Sequence, residues 1–183
     1  AWYQGGISII DFTDSANPVE IAYFDRGPID AENLITGGYW SAYWYGGKIY
    51  GTEIVRGIDV LSLIPSEYLT ENEIAAAVIA DQSLLFNPQQ QFPVRWPAEP
   101  TVARAYIEQL EKAEALPSSL VTELSDALDR SESKLESAAR DRSLARKLET
   151  LAGNVQEGGG DEITVRRRSG LAETLGGIAT SLR

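Results

Sequence analysis

Carboxylate, hydroxyl, Tyr, Lys and Arg side chains supply all the acid–base chemistry open to this sequence, because it contains no His and no Cys. That absence excludes a Ser-His-Asp triad, a thiol nucleophile and a His or thiolate zinc site. Two carboxylates can hydrolyse a glycosidic bond, and Asp30 with Glu32, or Glu53 with Asp59, are candidate pairs. Neighbouring carboxylates are also common on acidic surfaces, so the sequence assigns no catalytic residue.

A turn near the N-terminus offers oxygen ligands for a cation. Asp11, Asp14 and Asn17 have the side-chain oxygens that calcium prefers. Asx residues in turns also cap their own backbone, which needs no ion. We predict no metal site and no cofactor.

The formal net charge of −11 argues against a nucleic-acid partner. Phosphate neutralisation requires a basic face, and the only basic run is 166–168, in Gly-rich and acidic surroundings that predict a solvated linker. No stretch reaches the roughly 18 consecutive apolar residues of a membrane span. The sequence therefore predicts neither a nucleic-acid partner nor a membrane span.

Composition divides the chain near residue 64. Aromatic residues, β-branched residues and Gly dominate before this point, whereas Ala, Leu, Glu, Arg and Ser dominate after it. This change predicts a β part followed by an α part. Gly46 and Gly47 predict a two-residue hairpin turn. The predicted strands are 7–12, 19–24, 39–45, 48–53 and 57–63.

An internal repeat links two of these strands. Residues 6–12 and 57–63 both read Gly, apolar, polar, apolar, apolar, polar, apolar, at an offset of 51 residues. A repeat of about 40 to 50 residues built from roughly four short strands is typical of β-propeller blades.

The first copy continues as GISIIDFTDSANPVEIAYFD over residues 6–25. This stretch resembles the repeat of the LVIVD-repeat β-propeller proteins, which reads Gly-Leu-x-Val-Val-Asp-Val-Ser-Asp-Pro-x-x-Pro before a strand that ends near Tyr-x-Asp. Ser15 stands where the family often has Pro. The second copy departs from the pattern at Ile64 and Pro65.

The resemblance implies that residues 1–63 are terminal blade strands of a β-propeller that is incomplete in this chain. We therefore expect a C-terminal fragment whose partners include upstream propeller blades of the same protein. The last blade lacks its fourth strand, which leaves an unpaired edge. The resemblance also implies an extracellular or cell-surface location.

Such a propeller would bring three loops, 3–5, 25–38 and 53–56, to one rim of its channel. Aromatic rings beside carboxylates and amides suit a protein or carbohydrate ligand. The alternative is that the aromatic residues pack between sheets. The candidate binding residues on this rim are Gln4, Asp30, Glu32, Trp40, Glu53 and Arg56.

The second half of the chain has helical periodicity. Residues 98–155 carry apolar stripes that predict a small helical bundle. Residues 64–97 predict a short helix, with Ser66 as its N-cap, and an extended connector. Residues 156–183 predict a flexible Gly-rich linker and a weak helix interrupted at Gly176 and Gly177.

Together these features predict a mixed fold with segregated β and α parts: antiparallel β-propeller blade strands, an incomplete propeller, then a helical bundle. The predicted function is a non-catalytic binding or scaffolding module of a secreted or surface LVIVD-repeat protein. The alternative is a carboxylate-based, glycosidase-like hydrolase that uses the propeller face.

Overall fold

The computed structural model describes residues 1–80 and 94–183. These residues form two compact units, which we call the sheet unit and the helical unit. The sheet unit consists of Ala1–Leu69 and the described part of Ala77–Val94, and the helical unit of Thr70–Ala76 and Arg95–Arg183.

Two small antiparallel sheets form the sheet unit. The strands within the described residues are β1 (Ile7–Asp11), β2 (Val19–Phe24), β3 (Tyr39–Tyr45), β4 (Lys48–Glu53) and β5 (Gly57–Leu61). β1 pairs with β2, and β3, β4 and β5 form a three-stranded sheet in that order. Neither sheet closes on itself.

This arrangement shows that the predicted β-propeller fold class is wrong. A propeller needs several four-stranded blades around a channel, whereas the described residues supply five strands in two open sheets. The repeat specifies which faces of β1 and β5 are apolar. Two strands with similar faces do not determine how many sheets form or whether the sheets close into a ring.

The hairpin between β3 and β4 follows from its two turn residues. Gly46 and Gly47 have φ values of 54° and 78°, the positive values that a type I′ turn requires at both central positions. Tyr45 therefore pairs with Lys48. The register shifts between Tyr39 and Ser41.

A small apolar core lies where the two sheets pack together. Ile7, Tyr39 and Ile49 are its buried members. A side chain at Gly51 would contact both Ile7 and Tyr39, so glycine permits the close approach. We call the side of the three-stranded sheet that packs against β1 and β2 the inner face, and the opposite side the outer face.

The described helices are α1 (Glu71–Ile79), α2 (Pro100–Lys112), α3 (Ser118–Glu136), α4 (Arg142–Gln156) and α5 (Glu162–Ser181). The core of the helical unit consists mainly of Leu side chains from α2 to α5. Helix α5 runs unbroken through Gly176 and Gly177, where the sequence predicted an interruption. Gly177 lies close to Ala98, so the missing side chain allows packing there.

Side-chain caps begin several helices. Thr70 and Glu73 form a reciprocal capping box at α1: the Thr70 hydroxyl accepts from the Glu73 N–H at 3.1 Å, and the Glu73 carboxylate accepts from the Thr70 N–H at 2.8 Å. The predicted cap, Ser66, instead accepts from the N–H groups of Tyr68 and Leu69 in the preceding turn. At α4 the Asp141 carboxylate caps the helix by accepting from the N–H groups of Ser143 and Leu144.

The basic run lies on α5 and is not a solvated linker. Arg168 is 8% exposed, and its guanidinium donates to the Val155 carbonyl oxygen at 2.9 Å and to that of Ala115. A buried cation requires such partners. Arg166 pairs with Glu162 at 2.8 Å. Arg168 therefore ties α5 to the end of α4 and to the loop after α2.

Candidate functional site

The three predicted rim loops do meet in the sheet unit. Tyr3 and Tyr39 exchange backbone hydrogen bonds of 3.2 and 2.8 Å, and the Ile54 N–H donates to the Gly38 carbonyl oxygen at 3.0 Å. Gly38 has a φ of 89°, and a side chain there would overlap the Tyr3 backbone. Backbone hydrogen bonds therefore join the loops, and Gly38 allows the closest approach between them.

The Gln4 side-chain amide holds the loop 25–38 through two hydrogen bonds. Its Oε1 accepts from the Ile29 N–H at 3.1 Å, and its Nε2 donates to the Ile35 carbonyl oxygen. The amide that the sequence predicted for ligand binding is thus engaged by the loop itself.

Glu53 stabilises the loop 53–56. Its side chain is buried, and the residue is 4% exposed. Its carboxylate accepts from the N–H groups of Gly38, at 2.6 Å, Val55, at 3.1 Å, and Arg56. Burial raises the pKa of Glu53, but these three donors and the charge of Arg56 outweigh it, and the pKa lies below its usual value.

The other predicted rim residues are more exposed. Asp30 accepts from the Glu32 and Asn33 N–H groups at 2.8 and 2.9 Å, and these bonds lower its pKa. Glu32 is exposed. Trp40 is 70% exposed and meets the Tyr3 ring edge-on at 6.1 Å.

Only part of the predicted rim lines a common cavity. Gln4, Glu53 and Arg56 border a space of about 10 Å³, which is enough for about one water molecule. Asp30, Glu32 and Trp40 do not line it. Gln4 and Glu53 therefore stabilise the loops themselves, and the cavity between them is very small.

A polar cluster that the sequence did not predict lies beside this cavity. The Tyr39 hydroxyl donates to Asp59, which also pairs with Arg26. Burial, the hydrogen bond to Asp59 and the Asp59 charge raise the pKa of Tyr39 to about 12. The sequence shows that Asp59 is a polar residue within an apolar strand of the second repeat. It does not show the partners, because Tyr39 and Arg26 lie 20 and 33 residues away along the chain.

The acidic turn near the N-terminus caps its own backbone. Asp11 accepts from the Thr13 N–H at 2.8 Å, and Asp14 accepts from the Ala16 N–H at 3.0 Å and from the Asn17 amide at 2.8 Å. Within residues 1–80 and 94–183 no group of three or more acidic side chains is arranged to hold a metal ion.

The outer face of the three-stranded sheet carries an apolar patch beside the polar side chains of Ser41, Lys48 and Thr52. The register aligns Tyr43 with Tyr50, and Tyr50 with Val60. Ile58 and Val60 are 64% and 56% exposed. A sheet face in contact with water normally carries polar side chains, so this patch resembles a surface that packs against another structure.

A groove runs between β2 and the segment that begins at the end of β5. We call it the β5 groove: it is lined by Ile9, by residues 20–24, by Ile49 and by residues 61–68, and its volume is about 760 Å³. It is far larger than the rim cavity, and most of its lining is apolar.

A smaller cavity of about 140 Å³ lies in the helical unit, beside Glu73, Trp96 and Tyr106. Glu73 accepts from Gln109 and Lys112 at 3.1 Å each, in addition to its capping bond. Burial raises the pKa of Glu73, but these donors lower it to below its usual value. The carboxylate therefore joins α1 to α2.

Comparison of the chain with models of protein families, with curated proteins and with solved structures gave no match. Among the helices that the structure describes, none has the length and apolar character needed to cross a membrane.

Proposed function

We propose that this chain is a non-catalytic binding or scaffolding module whose outer face binds the apolar face of another β-sheet. The observation that carries the proposal is the exposure of Ile58 and Val60 on a face shared with Tyr43, Tyr45 and Tyr50. An exposed apolar patch of this kind marks an interaction surface.

The internal repeat supports the choice of partner. Alignment of residues 6–12 with 57–63 places Ile58 and Val60 at the positions of Ile7 and Ile9. Ile7 is buried and Ile9 is partly buried, and both belong to the core between the two sheets. The same repeat position thus packs against a sheet in the first copy and is exposed in the second.

The hydrolase alternative has no supporting arrangement among the described residues. Glu53 is engaged by three backbone N–H groups, and Asp59 by Tyr39 and Arg26. The cavity beside them has room for about one water molecule, not for a sugar ring. The LVIVD-repeat resemblance, the extracellular location and a carbohydrate ligand remain predictions.

The test replaces Ile58 and Val60 by Thr, which keeps the β-branched shape and adds a hydroxyl. In the isolated chain, the same face of a second copy is the available partner, so we expect concentration-dependent dimers in sedimentation velocity. The double variant should remain monomeric.

The matched control replaces Val19 and Val55 by Thr. Both side chains are exposed, at 44% and 56%, and neither lies on the outer face. This control should associate like the unmodified chain. A chain that is monomeric at every concentration, or equal association of both double variants, would contradict the proposal.

A further inference from the structure

We propose that the β5 groove binds an extended peptide strand that carries apolar side chains and at least one cationic side chain. This site uses different residues from the outer face, and the two proposals can succeed or fail separately.

The first argument is the free edge of β2, whose residues 20–24 line the groove. This strand pairs only with β1, so alternate N–H and C=O groups along it are directed away from β1 without a strand partner among the described residues. Val19–Phe24 contains neither Pro nor Lys, two residues that commonly protect such an edge. An added strand would pair with these groups.

The second argument is the shape and lining of the groove. Its walls include Phe24, Ile49, Leu61 and Leu63. Residues 20–24 follow one wall, a run that spans about 13 Å at roughly 3.3 Å per residue. The volume of about 760 Å³ is within the range of ligand clefts. An extended segment of about five residues matches this length better than a compact ligand does.

The third argument is charge. Glu20 and Glu67 line the groove, and no described Lys or Arg does. Lys48 lies beside the groove, where its ammonium donates to the hydroxyl of Ser62 at 2.7 Å. Neither carboxylate has a salt bridge with a described residue. The net charge of −11 adds to the attraction for a cation, so a peptide with Lys or Arg is favoured over a neutral or acidic one.

The test measures fluorescence anisotropy of a fluorescein-labelled hexapeptide, Val-Lys-Val-Lys-Val-Lys, with the full chain. We expect saturable binding, and binding of the corresponding Val-Glu peptide that is weaker by at least about tenfold. Two further peptides are N-methylated at every Val or at every Lys. Because only one set of amides would face β2, one of these two should lose at least about tenfold in affinity.

Matched charge variants separate the groove from general attraction to an acidic protein. Glu20→Lys with Glu67→Lys should weaken binding by at least about tenfold. Glu32→Lys with Glu136→Lys makes the same change in net charge at exposed positions outside the groove and should weaken it much less. Circular dichroism would verify that both double variants fold.

Three outcomes would overturn the inference: no saturable binding, equal weakening in both charge variants, or unchanged affinity of both N-methylated peptides. The Ile58→Thr, Val60→Thr variant should bind the Val-Lys peptide normally. Loss of dimers with retained peptide binding would thus support both proposals, whereas retained dimers with peptide binding would contradict only the outer-face proposal.

Discussion

The Tyr39 hydroxyl should titrate well above the usual range of a tyrosine. Burial and its contact with Asp59 raise its pKa to about 12, from about 10 in an unfolded chain. A raised pKa contributes stability that is complete below about pH 10 and is lost as the pH approaches 12. Ultraviolet titration of tyrosinate should therefore show a late step, which Tyr39→Phe removes.

Tyr106→Phe is the control for this titration. Burial and the charge of Glu173 also raise the pKa of Tyr106, so this variant should change the curve but keep the Tyr39 step. If all eight tyrosines titrate together near pH 10, the Tyr39–Asp59 contact does not exist in solution.

Glu53 should make the sheet unit sensitive to acid. Its pKa is lowered in the folded chain, so its contribution to stability is present above its unfolded pKa, about 4.3, and is lost as the pH falls through the folded pKa. Glu53→Gln should lower the denaturation midpoint at neutral pH and weaken its dependence on acid.

Tryptophan fluorescence during urea denaturation would measure this midpoint. Glu32→Gln is the matched control, because Glu32 is exposed, and it should leave both the midpoint and its pH dependence nearly unchanged. The same acid dependence in Glu53→Gln as in the unmodified chain would show that Glu53 does not hold the loop.

At the scale of single elements, Thr70 should determine how firmly α1 begins. Its hydroxyl accepts from the Glu73 N–H and donates to Glu108. Thr70→Ala should destabilise the start of α1 by about 1 kcal/mol, whereas Thr70→Ser keeps the hydroxyl and most of the stability. Hydrogen exchange of the first-turn amides measures the difference, and equal exchange in both variants would argue against the capping box.

Elements with strong local signals were predictable. Gly46 and Gly47 force a tight turn, so β3 and β4 have the predicted bounds. Helix α5 was underestimated because glycine lowers helix propensity. Leu171, Leu175 and Ile178 are buried on one side of it, and this packing outweighs the propensity cost.

The candidate site was less predictable than the elements. The propeller resemblance implied that the loops bearing Gln4 and Glu53 would meet, although the propeller itself is wrong. A carboxylate that binds a ligand and one that accepts from backbone N–H groups look identical in sequence. Partners of Asp59 are distant along the chain. The number of sheets, and hence the error about the propeller, depends on packing that two repeat copies do not specify.

At the scale of the whole molecule, the two units should unfold in separate transitions. Leu148 is fully buried in the helical core, so Leu148→Ala should destabilise the helical unit by about 2 to 5 kcal/mol. Helical circular dichroism would report that loss. Three of the four tryptophans, Trp2, Trp40 and Trp44, lie in the sheet unit, so the fluorescence transition should move little.

Ile49→Ala is the reciprocal variant, because Ile49 is buried in the core of the sheet unit. It should move the fluorescence transition and leave the circular dichroism transition nearly unchanged. If each substitution moves both transitions equally, the two units unfold as one cooperative body.

The contacts of Arg168 have a consequence for the order of events during synthesis. Helices α2, α3 and α4 leave the ribosome before α5, which supplies both the guanidinium at the Val155 and Ala115 carbonyls and a large share of the buried leucines. Until α5 emerges, the apolar side chains of the earlier helices that pack against it are exposed to solvent. The sheet unit needs nothing from α5 to form its hairpins, so the nascent chain should become structured from its N-terminal side first.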